Sequence, residues 1–280
     1  MPIEERWSIV DGYRMRYLCG GSGPPLVLVH GLLGYSFSWR FAIPVLAQRA
    51  TVYAVDMPGA GFSDRPAGMD CSLRAGATRL LRFLDLTGVE GCDLLGTSYG
   101  GTVTMMAAAL APGRVRRLIL VGPVDPWSGH GKRMASFLSH RLVSAIFLGS
   151  ARRFRFTDAY WIRRQYGDKR RMRPEVLEGY TTPFSLPGAF EYELGILRSW
   201  EQGLRELESL LPRIAHVPTL LLWGSMDRTL RPGSTMRLQA QFTDCKAVTL
   251  DGVGHLPYEE VPEEFNRVVA AFLDGSNLSR

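Results

Sequence analysis

Short apolar runs bounded by glycine and proline recur along the chain, and their periods predict alternating strands and helices. Trp7 to Val10 and Tyr13 to Leu18 alternate well enough for two strands, with Asp11-Gly12 as the hairpin turn between them. Leu26-Val27-Leu28-Val29, Thr51 to Val55, Cys92 to Leu95 and Val115 to Val121 are near-continuous apolar runs, the pattern of strands buried on both faces of a parallel sheet. Ser38 to Leu46 predicts a short helix. Ser72 to Leu86 predicts an amphipathic one, with Leu73, Ala77, Leu80, Leu81 and Leu84 at helical spacing. Thr102 to Leu110 is an apolar, alanine-rich helix.

After Val121 the alternation stops. Residues 123–212 show helical patches, aromatics and prolines but no buried strand. It resumes with strands at Thr219 to Gly224 and Ala247 to Leu250, and with helices at Pro232 to Gln241 and Val261 to Leu273. The expected fold class is therefore α/β, a mostly parallel, doubly wound sheet. Residues 1–122 and 213–280 form its core, and residues 123–212 form a helical cap inserted where strand ends meet ligand.

Composition narrows this picture only a little. The chain has 280 residues and a hydrophobic fraction of 46%, which suits a globular protein with a substantial core. No apolar run approaches the roughly 20 residues that span a bilayer. The start, Met1-Pro2-Ile3-Glu4-Glu5-Arg6, lacks the apolar stretch of a signal peptide, so residence in the cytoplasm is expected. Four cysteines without a C-x-x-C pair predict reduced thiols and neither a disulfide framework nor a metal site. No feature sets an oligomeric state.

The net charge of +6 is local. Residues 151–173 hold nine basic side chains, Arg152, Arg153, Arg155, Arg163, Arg164, Lys169, Arg170, Arg171 and Arg173, against Asp158 and Asp168. That segment carries +7 and the remainder of the chain −1. It reads first as a solvated face, and as a functional alternative it would touch an anionic surface or steer an acidic substrate. Basic residues do not alternate with aromatics over a known nucleic-acid fold, so no nucleic-acid partner is expected.

The chemistry concentrates in Gly96-Thr97-Ser98-Tyr99-Gly100, a G-x-S-x-G motif between a predicted strand and a predicted helix. In that setting the serine sits at the apex of a strained turn, and the helix aims its free N–H groups where negative charge develops. Such a serine needs a base and an acid to orient that base. Of five histidines, His255 follows the last strand and reaches the same sheet edge. His30 is expected to brace its loop, His130 and His140 fall in the cap, and His216 stands at the entry end of a strand. Asp227 follows its strand in Gly224-Ser225-Met226-Asp227, and Asp125 is the rival acid. Asp56 is expected to brace the Pro58-Gly61 turn.

Taken together, His30-Gly31, Asp56 to Ser63, Gly96 to Gly100, Gly224 to Asp227 and Gly254-His255-Leu256-Pro257-Tyr258-Glu259 resemble the α/β-hydrolase fold superfamily, in particular its lidded serine hydrolases, over roughly Trp7 to Leu273. The resemblance implies Ser98 as nucleophile, His255 as general base and Asp227 as orienting acid, with Asp125 still open. It also implies backbone N–H groups of Leu32 and Tyr99 as the oxyanion hole, and no metal or organic cofactor. Relatives that dehalogenate or open epoxides carry aspartate where this chain has Ser98. Trp39 and Phe37, after the oxyanion loop, read first as core; as the functional alternative Trp39 would line the pocket, for which Leu33 and Leu256 are the other candidates. The implied activity is hydrolysis of a carboxylic ester of a small-to-medium, mainly apolar small molecule. Carbon–carbon hydrolysis, perhydrolysis or acyl transfer, and small-molecule reception without turnover are the alternatives.

Overall fold

The computed structural model describes residues 2–128, 156–230, 233 and 235–276. His130, His140, Arg152, Arg153, Arg155 and Pro232 lie outside the described residues.

The predicted hairpin forms as β1 (Glu4–Val10) and β2 (Tyr13–Gly20). Asp11 and Gly12 both take positive φ, 56° and 84°, matching the twist that a two-residue hairpin turn requires. β3 (Pro25–Val29), β4 (Thr51–Val55), β5 (Cys92–Thr97), β6 (Val115–Val121), β7 (Thr219–Gly224) and β8 (Cys245–Leu250) complete an eight-stranded sheet of order β1-β2-β4-β3-β5-β6-β7-β8. β1, β2 and β4 pair antiparallel; every other pairing is parallel.

The continuous apolar runs have a reason in the period of two. Val27, Val29, Leu94, Leu118, Leu120, Leu221 and Trp223 point into one core. Their neighbours Leu26, Leu28, Leu95, Ile119, Val121, Leu220 and Leu222 point into a second core on the other face. Both faces are covered, so apolar residues dominate both parities.

α1 (Ile43–Leu46) is shorter than the predicted helix and follows a 3₁₀ turn at Ser36–Trp39. Pro44 lacks an N–H, and in a continuous helix its ring would collide with the carbonyl of Arg40. α2 (Leu73–Leu86) starts at Ser72, whose Oγ accepts the Ala75 N–H at 3.2 Å. α3 (Tyr99–Leu110) follows β5 directly.

Between β6 and β7 lie α4 (Phe156–Arg164), α5 (Glu175–Thr181) and the 22-residue α6 (Ala189–Leu210). α6 sets Ile196, Trp200, Leu204 and Leu207 into the core shared with α2 and α3. The helix predicted to begin at Pro232 is described as α7 (Thr235–Gln239), and a short α8 (Pro257–Glu260) precedes α9 (Pro262–Leu273). All four cysteines are free. Among the described residues no helix is long and apolar enough to cross a membrane.

Candidate active site

Ser98 stands between β5 and α3 with φ 52° and ψ −124°, a strained conformation for a residue with a Cβ, costing about 1–3 kcal/mol. Three backbone hydrogen bonds hold it there: its N–H donates to Val121 at 2.9 Å, and its carbonyl accepts from Gly101 at 3.0 Å and Val124 at 3.1 Å. The flanking glycines are required by proximity. A Cβ on Gly96 would lie 2.5 Å from the Gly100 carbonyl oxygen, and one on Gly100 would lie 2.3 Å from that of His30.

At the same sheet edge Asp227 and His255 are paired. His255 Nδ1 lies 2.7 Å from Asp227 Oδ2, both side chains being buried. A carboxylate accepts, so Nδ1 carries the proton and Nε2 is left as the basic nitrogen. Asp227 is itself fixed, because its Oδ1 accepts from the N–H groups of Thr229 and Leu230, each at 2.8 Å. Gly122 follows Val121, to which Ser98 is bonded. A Cβ on Gly122 would sit 3.3 Å from Asp227 Oδ2 and 3.4 Å from His255 Nδ1. The Ser98 turn and the pair therefore meet across the end of β6. Ser98 Oγ makes no hydrogen bond among the described residues, as is common before substrate tightens such a site.

Asp125 is engaged elsewhere. Its Oδ1 accepts from the N–H groups of Trp127 at 2.8 Å and Ser128 at 2.7 Å, closing a turn. His30 braces its loop as expected. Its Nε2 accepts from Met57 N–H at 3.1 Å, so Nδ1 carries the hydrogen and donates to the Gly31 carbonyl at 2.8 Å. Burial pushes its imidazole pKa down. Asp56 accepts from Ser36 N–H at 2.8 Å and Phe62 N–H at 3.0 Å, bracing the Pro58-Gly61 loop. His216 is exposed at the entry end of β7.

A family model described as "alpha/beta hydrolase fold" matches residues 24–262. The chain belongs to that family. Its relatives include Haloalkane dehalogenase 2 of Mycobacterium tuberculosis, 28% identical over 278 residues, 98% of this chain and 95% of the relative. The pimeloyl-[acyl-carrier protein] methyl ester esterase of Aeromonas hydrophila is 30% identical over 260 residues, 90% of this chain and 96% of the relative. Among solved structures, a bacterial membrane phospholipase A superposes with TM-score 0.79 at 28% identity, covering 98% of this chain and 86% of that one.

In this member of the α/β-hydrolase family a small cavity lies near the Ser98 turn, with Gly31, Leu32 and Tyr99 in its wall but not Ser98, Asp227 or His255. Gly31 faces Ser98, since a Cβ there would stand 3.0 Å from Ser98 Cβ. Tyr99 opens α3, so its N–H has no carbonyl one turn earlier to bond. Leu33, Trp39 and Leu256, expected around the pocket, do not line this cavity. Trp39 takes its core reading and not the pocket alternative: it is fully buried, its ring 4.8 Å from that of Tyr258. Leu33 is 42% exposed at φ 57°. Leu256 packs on Tyr166, Val176 and Tyr180. The wall is completed instead by Val103 of α3 and by Tyr192, Glu193 and Ile196 of α6. Sequence reasoning missed these because α6 reads as an ordinary amphipathic helix.

Also missed were the glutamates after His255. Glu260 accepts the N–H groups of Gly254 at 2.8 Å, Gly167 at 2.9 Å and Asp168 at 2.8 Å. Gln165 accepts His255 N–H on its carbonyl at 2.7 Å, and its side-chain Oε1 accepts from Thr229 Oγ1 at 2.5 Å. Glu259, buried, pairs with Arg40 through both oxygens and accepts from the Tyr180 hydroxyl at 2.8 Å. Burial still pushes the Glu259 carboxyl up. Two successive glutamates in an otherwise apolar stretch are the only sequence signal, and two neighbouring acids more often mark a solvated turn.

Proposed function

We propose that this protein is a serine hydrolase that cleaves a carboxylic ester of a small-to-medium, mainly apolar substrate through an acyl-enzyme. The observation that carries the reading is the Asp227–His255 pair, at 2.7 Å, at the same sheet edge as the strained Ser98 turn. His255 Nε2 takes the Ser98 proton as Oγ attacks the carbonyl carbon, and Asp227 offsets the imidazolium charge. The N–H groups of Leu32 and Tyr99 receive the oxyanion, each donor being worth about 3–4 kcal/mol in comparable sites. His255 then gives its proton to the leaving alcohol and activates water to release the acid. The helices between β6 and β7 act as the cap over this site.

Serine also argues against the chemistry named for the dehalogenase relatives. A serine oxygen alkylated at a saturated carbon becomes an ether, which offers water no carbonyl to attack, so the enzyme would stop after one event. An acylated serine is an ester and turns over. The esterase relative, 30% identical, supports the same direction.

A panel of acyl esters and diketones, read for turnover with wild type and Ser98→Ala, tests the proposal. Turnover of esters should fall by on the order of 10⁶ in the alanine variant, and a fluorophosphonate should label Ser98 alone. Activity retained without Ser98, or turnover of diketones only, overturns it.

A further inference from the structure

Leu32, the first predicted oxyanion donor, lies in a four-residue turn. Gly34 N–H donates to the Gly31 carbonyl at 3.1 Å, and of the two central residues Leu33 alone takes a positive φ, 57°. A positive φ confined to the third position marks a type II turn, which asks for glycine there. Leucine has a Cβ, so this backbone is unfavourable. Turning over the peptide between Leu32 and Leu33 would give a type I turn, with Leu33 in an ordinary conformation. The Gly34–Gly31 bond survives that flip, so nothing within the turn selects the strained form.

The selection comes from α6. Glu193 Oε1 accepts the Leu33 N–H at 3.0 Å, from a residue 160 positions away in sequence. A flipped peptide would remove that N–H and turn the Leu32 carbonyl oxygen toward the carboxyl instead. About two turns further along α6, Trp200 stacks on Tyr99, with ring centroids 5.5 Å apart and planes inclined by 18°. One helix thus touches the segments of both predicted oxyanion donors. Around Glu193, its own Oε2 and Arg65 Nε are both shut off from solvent without a hydrogen-bond partner. The terminal nitrogens of Arg65 donate to the carbonyls of Gly61 and Ser63. Burial pushes the Glu193 carboxyl up to about 7, against the Leu33 N–H and the Arg65 charge, which favour the carboxylate. Burial, with the charge of Glu193 among the lesser causes, pushes the Tyr99 and Tyr192 phenols up, so both hydroxyls stay neutral.

We propose that Glu193 is a positioning residue for catalysis: from α6 it holds the Gly31–Gly34 turn in its strained form and so keeps the Leu32 N–H directed at the oxyanion. The Leu32 N–H belongs to the adjoining peptide, so its direction depends on which form the turn takes. The flip would also set a carbonyl oxygen, the negative end of the peptide dipole, on the side that now presents an N–H. This rests on the ester-hydrolase reading, and it makes the seating of α6 a condition for transition-state stabilisation.

The test pairs an activated ester with its thionoester, whose sulfur is a poor hydrogen-bond acceptor and gains little from an oxyanion hole. Glu193→Met keeps the side-chain length and removes the acceptor. Its kcat for the oxygen ester should fall by about tenfold or more while KM stays within about threefold. Its preference for the oxygen ester over the thionoester should shrink by the same factor. Glu193→Gln retains an amide oxygen for the Leu33 N–H and should restore most of the lost kcat. Leu33→Gly in the Glu193→Met background should do so too, because glycine adopts the positive φ unaided. A general loosening of α6 would leave the ester–thionoester ratio in place and would not respond to glycine. If Glu193→Met does not fold, Glu193→Leu carries the same comparison. Wild-type kcat in Glu193→Met, or a loss that keeps the ratio and that Leu33→Gly does not mend, overturns the proposal. Hydrogen exchange of the Leu33 amide needs no turnover: it should quicken by about tenfold or more in Glu193→Met and stay slow in Glu193→Gln. That result in a protein that hydrolyses no ester sustains the hold of Glu193 on the turn, and only the hydrolase reading falls. Ester turnover with unchanged exchange overturns the positioning role alone; no turnover and unchanged exchange overturn both.

Discussion

His255 donates its backbone N–H to the carbonyl of Gln165 at 2.7 Å, so this histidine is held by the segment after α4 as well as by its own loop. Glu260 strengthens that hold by gathering the N–H groups of Gly254, Gly167 and Asp168. No room separates the two loops: a Cβ on Gly254 would lie 2.1 Å from the Gln165 carbonyl oxygen.

Glu260→Gln turns an amide N–H₂ toward backbone donors and forfeits at least one of these bonds. Unfolding free energy should fall by about 1–3 kcal/mol. Because the released bond adjoins His255, kcat for a small ester should fall while KM stays within about twofold. Thermal unfolding and steady-state kinetics check this, and an unchanged kcat in a destabilised protein would make the clamp purely structural.

Asp227→Asn removes the acceptor that holds the His255 tautomer and should cut acylation by about 10⁴ with the fold intact. Asp125→Asn keeps an acceptor oxygen for the Trp127 and Ser128 N–H groups, so its effect should stay within about tenfold. Pre-steady-state acylation of both variants decides between the two acids; a reversed order would return the role to Asp125.

Gly122→Ala tests how tightly the pair is seated. Gly122 has φ 44°, and a Cβ there would approach Asp227 Oδ2 to 3.3 Å and His255 Nδ1 to 3.4 Å. The left-handed backbone alone should cost about 1–2 kcal/mol, and displacement of the pair should lower kcat by about tenfold or more. Wild-type kcat in the variant would show that the pair tolerates the intrusion.

The Glu193 carboxyl, held up to about 7 by burial against an ordinary 4.5, gives stability a pH dependence of known sign. Between those values the folded chain keeps a proton that the unfolded chain has lost. Stability should therefore fall as pH rises from 4.5 through 7 and level off above it. Glu193→Gln has no such proton. The difference in unfolding free energy between wild type and variant should shift by on the order of 1–3 kcal/mol across the window. Denaturant unfolding at several pH values measures it, and parallel curves would contradict the burial argument.

The basic run divides in two. Arg171 lies 3.4 Å from Glu260 and the Arg173 guanidinium lies 4.2 Å over the Phe41 ring, so both serve the fold. Arg163, Arg164, Lys169 and Arg170 are exposed, with Arg170 held to Asp168 at 2.8 Å. Exchanging Arg163, Arg164 and Arg170 for glutamine should leave turnover of a neutral ester within about threefold and weaken binding to anionic vesicles at low salt. Vesicle co-sedimentation and ester kinetics read the two arms, and unchanged sedimentation would leave the run a solvated face.

The central strands were legible because a strand buried on both faces cannot hide its apolar run, whereas β1 and β8, at the sheet's two edges and partly exposed, begin three and two residues earlier than their apolar patterns suggest. Leu26 to Val29, Val115 to Val121 and Thr219 to Gly224 announce themselves by composition alone. The strained turn at Ser98 was legible because a side chain on Gly96 or Gly100 would collide with backbone, and the places of Asp227 and His255 followed from the loops after β7 and β8. The cavity was not. Val103, Tyr192, Glu193 and Ile196 meet Leu32 and Tyr99 only because α6 crosses α3 at the sheet edge, a contact about a hundred residues apart in sequence that no local period encodes. Trp39 kept two readings for the same reason: an aromatic after a loop has one composition whether it lines a pocket or fills a core. Only the packing of α8, which sets Tyr258 against its ring, decided the matter. Local sequence determines periodicity and turn geometry, since both depend on neighbouring backbone. Which polar atom is left without a partner depends on every element packed around it, and that is a property of the tertiary structure.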